Sequence, residues 1–152
     1  PSFVERLRKL EPDLVLFSLF DQIASDKVLE IPCLGTYNLH MGKLPEYRGG
    51  LSSFWVLRFG DDMAGVTLHR AVKRLDAGDV AAERRFPVRT RSMKCLMDTT
   101  VDQGAQVLLE GVERILFGQP PLKPVSNRPS GYFFIPGRKD YKAFYARGCR
   151  LI

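Results

Sequence analysis

Two histidines and three cysteines leave this chain little with which to build a metal centre. Cys33, Cys95 and Cys149 are odd in number, widely spaced and never in a C-x-x-C pair. That argues against a structural zinc site or a disulfide scaffold, and for reduced thiols in a cytoplasm. No apolar run approaches the ~20 residues that span a bilayer. The longest such run, Leu14 to Phe20, suits a buried strand. The N-terminus has neither the apolar segment nor the cleavage site of a secretory signal. Internal repeats are missing too, which excludes solenoid and propeller architectures.

What is present is ordinary for a globular protein. The 152 residues fit one domain able to bury a sizeable core, and 45% are hydrophobic and 26% charged. Against 17 acidic residues stand 23 basic ones, a balance of +6 that suits nucleic acid, a membrane surface or an anionic small substrate. The basic residues are spread out, with modest clusters at Arg84, Arg85, Arg89, Arg91 and Lys94 and at Arg138, Lys139 and Lys142. No nucleic-acid recognition motif accompanies them, so nucleic acid is not the expected partner.

Periodicity orders the chain. Phe3, Val4, Leu7 and Leu10 have helical spacing, and Leu14 to Phe20 reads as a strand buried on both faces. Ser25 or Asp26 caps a short helix through Leu29, ended by Pro32, and a strand through Tyr37 and Leu39 follows. Helix, strand, helix, strand is a crossover pattern that implies a parallel pair. Ser52 or Ser53 is expected to cap a helix with Phe54, Trp55, Leu57 and Phe59, stopped by Gly60. Strands are expected at 65–71 and 80–88, with His69 a structural residue of the first. Ser92 opens a long helix whose apolar set is Leu96, Val101, Ala105, Leu108, Leu109, Val112, Ile115 and Leu116. Gly118 and the pair Pro120 and Pro121 end it, and a loop-rich aromatic tail follows. The expected division is a core over 1–118 and a tail over 119–152 that packs on the core or forms an interface.

Chemistry concentrates between Gly35 and Gly50. Strand alternation puts Asn38 and His40 on one side and Tyr37 and Leu39 on the other. The chain then breaks at Gly42, Pro45 and the pair Gly49 and Gly50. An amide and an imidazole thus share a face where a strand runs into a loop, the edge at which α/β sheets bind ligands. The run Leu75-Asp76-Ala77-Gly78-Asp79 adds a carboxylate on a second tight loop.

Asn38-x-His40, the loop Leu44-Pro45-x-Tyr47-Arg48-Gly49, Gly65-Val66-Thr67 and Leu75-Asp76-x-Gly78-Asp79 together resemble the signature of the folate-dependent formyltransferases. Each piece is weak alone, but several fixed offsets in one order are specific. The resemblance implies an α/β, partial Rossmann-like formyltransferase fold, a mostly parallel sheet flanked by helices, with the first βαβ half absent. It implies transfer of a formyl group from 10-formyltetrahydrofolate to a primary amine. That reaction needs a hydrogen-bond donor where an oxyanion develops and a group to manage the amine proton. The resemblance gives these roles to Asn38, His40 and Asp76. Their types suit the roles: an amide donates, and an imidazole exchanges a proton near neutrality with support from a carboxylate.

The same resemblance places the folate pterin against Phe20, Asp21, Gln22 and Ile23 and near Leu29; the plain reading of Phe20, Ile23 and Leu29 from the residues is core. Arg48 is read as a brace of its loop. A nucleotide-linked amino sugar is the expected acceptor. Glycinamide ribonucleotide and methionyl-tRNA are the alternatives within the class, and a non-catalytic module that binds folate or a partner is the alternative outside it. Without the first sheet half, the apolar face near Leu14 to Phe20 is expected to drive self-association, a homodimer in its simplest form.

Overall fold

The computed structural model describes residues 2–20, 22–123 and 130–152. The chain opens with α1 (Phe3–Lys9), which Ser2 and Glu5 close reciprocally: the Ser2 hydroxyl accepts from the Glu5 amide and the Glu5 carboxylate from the Ser2 amide. Next come β1 (Val15–Ser18), α2 (Asp26–Leu29) and β2 (Thr36–His40). β1 and β2 pair in parallel, as the crossover pattern requires, with Phe17 opposite Asn38.

β4 (Met63–Arg70) then joins β2 antiparallel, and β5 (Val80–Pro87) joins β4 antiparallel, giving a four-stranded sheet in the order β1-β2-β4-β5. A small second sheet pairs β3 (Arg48–Gly49) in parallel with β6 (Tyr132–Phe133). The architecture is therefore the α/β one expected, with helices flanking the sheet. Its parallel pairings are β1 with β2 and β3 with β6.

The strand at β1 departs from the two-sided burial expected of it. It is shorter than the run Leu14 to Phe20, alternate residues are exposed, and Leu16, Leu19 and Phe20 reach solvent. The reason is position: among the described residues β1 is an edge, hydrogen-bonded to β2 alone.

α3 (Ser52–Phe59) also begins differently. Its N-cap is Leu51, in the left-handed region at φ 57°, while Ser52 and Ser53 lie buried inside the first turn. Gly60 ends the helix at φ 72°, the conformation that favours glycine there. α4 (Met93–Leu116) is capped by Ser92, whose hydroxyl accepts from the Cys95 amide.

The buried stripe of α4 is Leu96, Thr100, Gly104, Val107 and Gly111, whereas Val101, Leu109 and Leu116 face solvent. Small residues let this helix sit down on β4 and β5. A Cβ at Gly111 would lie 2.3 Å from Leu68 Cδ2, inside any allowed contact. Leu39, Val66, Leu68, Ala82 and Val107 form the core between helix and sheet.

A second core gathers Phe54, Trp55 and Leu57 of α3 with Phe86, Leu96, Phe144 and Cys149. Phe144 belongs to α5 (Arg138–Ala146), a helix in the segment expected to be loop-rich. Its ring is fully buried and stacks on Phe54, centroids 4.7 Å apart. The Trp55 Nε1–H donates to the Phe134 carbonyl at 3.1 Å, so α3 holds the C-terminal segment at two points.

Candidate active site

β2 delivers Asn38 and His40 to its C-terminal end, and the antiparallel register puts His69 of β4 directly across from Asn38. Asn38 Nδ2 lies 3.4 Å from His69 Nε2. The turn after β4 brings Asp76 in, with its backbone left-handed at φ 46°, a conformation aspartate tolerates better than most residues. Its carboxylate accepts from the Gly49 amide at 2.7 Å and stands between the two imidazoles, 3.7 Å from His40 Nδ1 and 3.4 Å from His69 Nε2.

Backbone carbonyls decide where the ring protons sit. His40 Nε2 is 2.6 Å from the Tyr47 carbonyl, which can only accept, so that nitrogen carries a proton. His69 Nδ1 does the same toward the Arg70 carbonyl at 3.0 Å. The nitrogens left to face Asp76 are therefore Nδ1 of His40 and Nε2 of His69, and His69 Nε2 can accept from the Asn38 amide. Thr67, opposite His40, steadies the loop beyond it: its hydroxyl donates to the Gly42 carbonyl at 2.8 Å and accepts from the Leu44 amide at 3.3 Å.

Burial pushes the His40 imidazole below its ordinary pKa of 6.5, against the opposing pull of the Asp76 charge. For Asp76, burial acts to raise the carboxyl. Its contact with His69, the His40 charge and the Gly49 amide outweigh it and hold the group below 3.8. Both groups bind protons more tightly in the unfolded chain, so both contribute stability that acid removes. The His40 part is complete above 6.5 and falls as pH drops toward the lower folded value. The Asp76 part is lost only below 3.8.

The denaturation midpoint should therefore fall for His40's sake between about pH 7.5 and about pH 5, and His40→Asn should flatten that fall. Parallel midpoint curves for the two proteins would contradict the assignment.

Asn38, His69 and Asp76 share a cleft of about 110 Å³ with Phe17, Phe20, Gln22, Ile23, Ala24, Leu29, Val72 and Leu75. Phe20, Gln22, Ile23 and Leu29 thus lie beside Asn38 and Asp76, and Phe17 stacks on Phe20 at 4.4 Å. Asp21 lies outside the described residues. His40 does not line this cleft. It lines a neighbouring, more apolar cavity of about 240 Å³ with Leu19, Met41, Ser52, Met93 and Met97. Asp76 lines the first cleft only, but stands 3.7 Å from His40, which lines the second.

His69, read from the sequence as structural, is the imidazole that stands in the cleft. The signal for it was register: Thr67-x-His69 meets Asn38-x-His40 residue for residue once β2 and β4 are neighbours. Arg48 packs its guanidinium over the Tyr132 ring, 5.4 Å from the centroid.

A model of the formyl transferase family matches residues 1–112, well over half of the chain. The chain belongs to the formyl transferase family. Among solved structures, this chain resembles HypX from Aquifex aeolicus in complex with tetrahydrofolic acid: TM-score 0.75 and 27% identity, over 90% of this chain and 24% of that one. It shares the fold of an N-formyltransferase from Helicobacter canadensis, solved with folinic acid and dTDP-3-aminofucose, at TM-score 0.71 and 24% identity over 92% of this chain and 50% of that one. A sugar N-formyltransferase from a Shewanella species has the same fold, at TM-score 0.73 and 14% identity over 95% of this chain and 63% of that one. The chain therefore spans from a quarter to under two thirds of the length of these relatives. Among its described residues no helix is long and apolar enough to cross a membrane.

Proposed function

We propose that this chain forms the formyl-transfer site of an enzyme that moves a formyl group from 10-formyltetrahydrofolate to a primary amine, the amino group of a nucleotide-linked amino sugar. The observation that carries the reading is the convergence of Asn38, His40, His69 and Asp76, three of them lining one cleft and His40 a neighbouring cavity. Support for the acceptor class comes from the sugar N-formyltransferases that share the fold. Support for the donor comes from relatives solved with folates and from the cleft itself. Its walls are the stacked Phe17 and Phe20 with Ile23, Leu29 and Val72, and Gln22, Asn38 and Asp76 supply polar groups. Those features fit a flat heterocycle with polar edges.

The donor, when bound, supplies an activated formyl carbon. Asn38 has two amide protons; His69 engages one, and the other serves the formyl oxygen as charge gathers there. His40 acts from the side of the second cavity. Its Nε2 proton is held by Tyr47, its Nδ1 lone pair is free, and 3.7 Å to Asp76 is too long for a hydrogen bond. Nδ1 can therefore take the proton that the attacking amine must shed. Asp76 supports the imidazolium so formed and stands 3.4 Å from His69, which gives the proton a path toward the donor cleft.

Formyl transfer to an amino-sugar nucleotide, followed by loss of 10-formyltetrahydrofolate, tests the proposal. Asn38→Ala should lower turnover on the order of 100-fold while donor affinity stays within a few-fold. Near-full turnover in that variant would show Asn38 to be a structural residue.

A further inference from the structure

The strand β6 touches both loops on which the Asp76 carboxylate depends. On one side it pairs with β3: the Arg48 amide donates to the Gly131 carbonyl at 3.0 Å and the Gly50 amide to the Phe133 carbonyl at 2.8 Å. Gly49, between them, gives its amide to Asp76. Gly49 has φ 92°, and a Cβ there would fall 2.1 Å from the Phe133 carbonyl oxygen, so the two backbones are pressed together. On the other side the Tyr132 hydroxyl donates to the Leu75 carbonyl at 3.2 Å and accepts from Arg74 Nε at 3.1 Å. Arg74 and Leu75 are the two residues before Asp76.

We infer that Tyr132 is a positioning residue of the formyl-transfer site: its hydroxyl fastens the Asp76 loop to the Gly49 loop and fixes the carboxylate between His40 and His69. The inference rests on the formyl-transfer reading for its kinetic consequence, but not for its geometry. Asp76 sits in the left-handed region, and such a conformation persists only where its surroundings hold it. The Gly49 amide holds the side chain, and Tyr132 holds the backbone just before it. Tyr132 is 41% exposed and belongs to neither core, so the ring is not what keeps the protein folded. It lies beyond the part of the chain that the family model matches. The C-terminal segment is in this view a working part of the site.

Tyr132→Phe removes the hydroxyl and keeps the ring under Arg48. With the loop released, Asp76 should spend less time near Gly49 and His40. Hydrogen exchange at the Gly49 amide should speed up roughly tenfold. The His40 titration midpoint, followed by NMR, should fall, because Asp76 is what raises it. Turnover should drop about tenfold with the donor KM within about twofold, since the loss is in the transition state. Unchanged Gly49 exchange together with an unchanged His40 midpoint overturns the inference, whatever the rate does. Asp76→Asn, assayed beside it, separates the two readings. If that variant keeps full turnover, the formyl-transfer reading fails, while exchange and titration still decide the role of Tyr132.

Discussion

Asp76→Asn should lower turnover roughly 1,000-fold, within the range that proton-transfer groups contribute. The substitution keeps the side chain's size, and the amide oxygen can still accept from the Gly49 amide, which now lies 2.7 Å from the carboxylate. The charge is what disappears. With it goes the only effect besides the Tyr47 hydrogen bond that raises the pKa of buried His40. The imidazole would then hold a proton even less readily, and the amine would face a poorer base at Nδ1. The interaction matters most once His40 is charged, so donor affinity should stay within a few-fold. Steady-state kinetics with an amino-sugar nucleotide and an NMR titration of His40 check both halves. Near-full turnover, or a His40 midpoint that does not fall, would refute the assigned role.

Phe144→Ala should cost about 3–5 kcal/mol of stability, the usual loss when a fully buried aromatic is truncated. The ring has no exposure, stacks on Phe54 with 12° between planes and meets Tyr145 edge-on at 5.5 Å. Against a typical total of about 5–15 kcal/mol, such a loss would leave the protein marginal at best. Denaturant unfolding measures it, and a loss under about 1 kcal/mol would mean that α5 is not anchored through this ring.

The candidate site was legible because its residues are tied together by short offsets. Asn38 and His40 sit two apart on one strand, and Asp76 lies in a loop that its neighbours Gly78 and Asp79 mark. His69 was not legible on the same terms. A lone histidine in an apolar strand looks structural, and only the pairing of β2 with β4 puts it across from Asn38. The burial of β1 was misread because an apolar run records composition but not how many neighbours a strand has. α4 shows a related limit: Gly104 and Gly111 line its buried stripe, and hydrophobic periodicity gives glycine no weight. α5 was missed because its hydrophobic residues are two tyrosines, two alanines and one phenylalanine among four charged ones, and of these Phe144 alone is buried.

The bond from Tyr132 to Leu75 closes a loop of 57 residues, and that separation has a meaning in time as well as in space. A chain emerging from the ribosome exposes the Asp76 turn well before β6 exists. At about 5–20 residues per second, the nascent protein carries its carboxylate for roughly 3–11 s without the strand that fastens it. Closing so distant a contact is slow for entropic reasons, whereas the β2–β4 and β4–β5 pairings can form earlier. The sheet should therefore be assembled first, and competence for chemistry should arrive as a late event in the birth of the molecule.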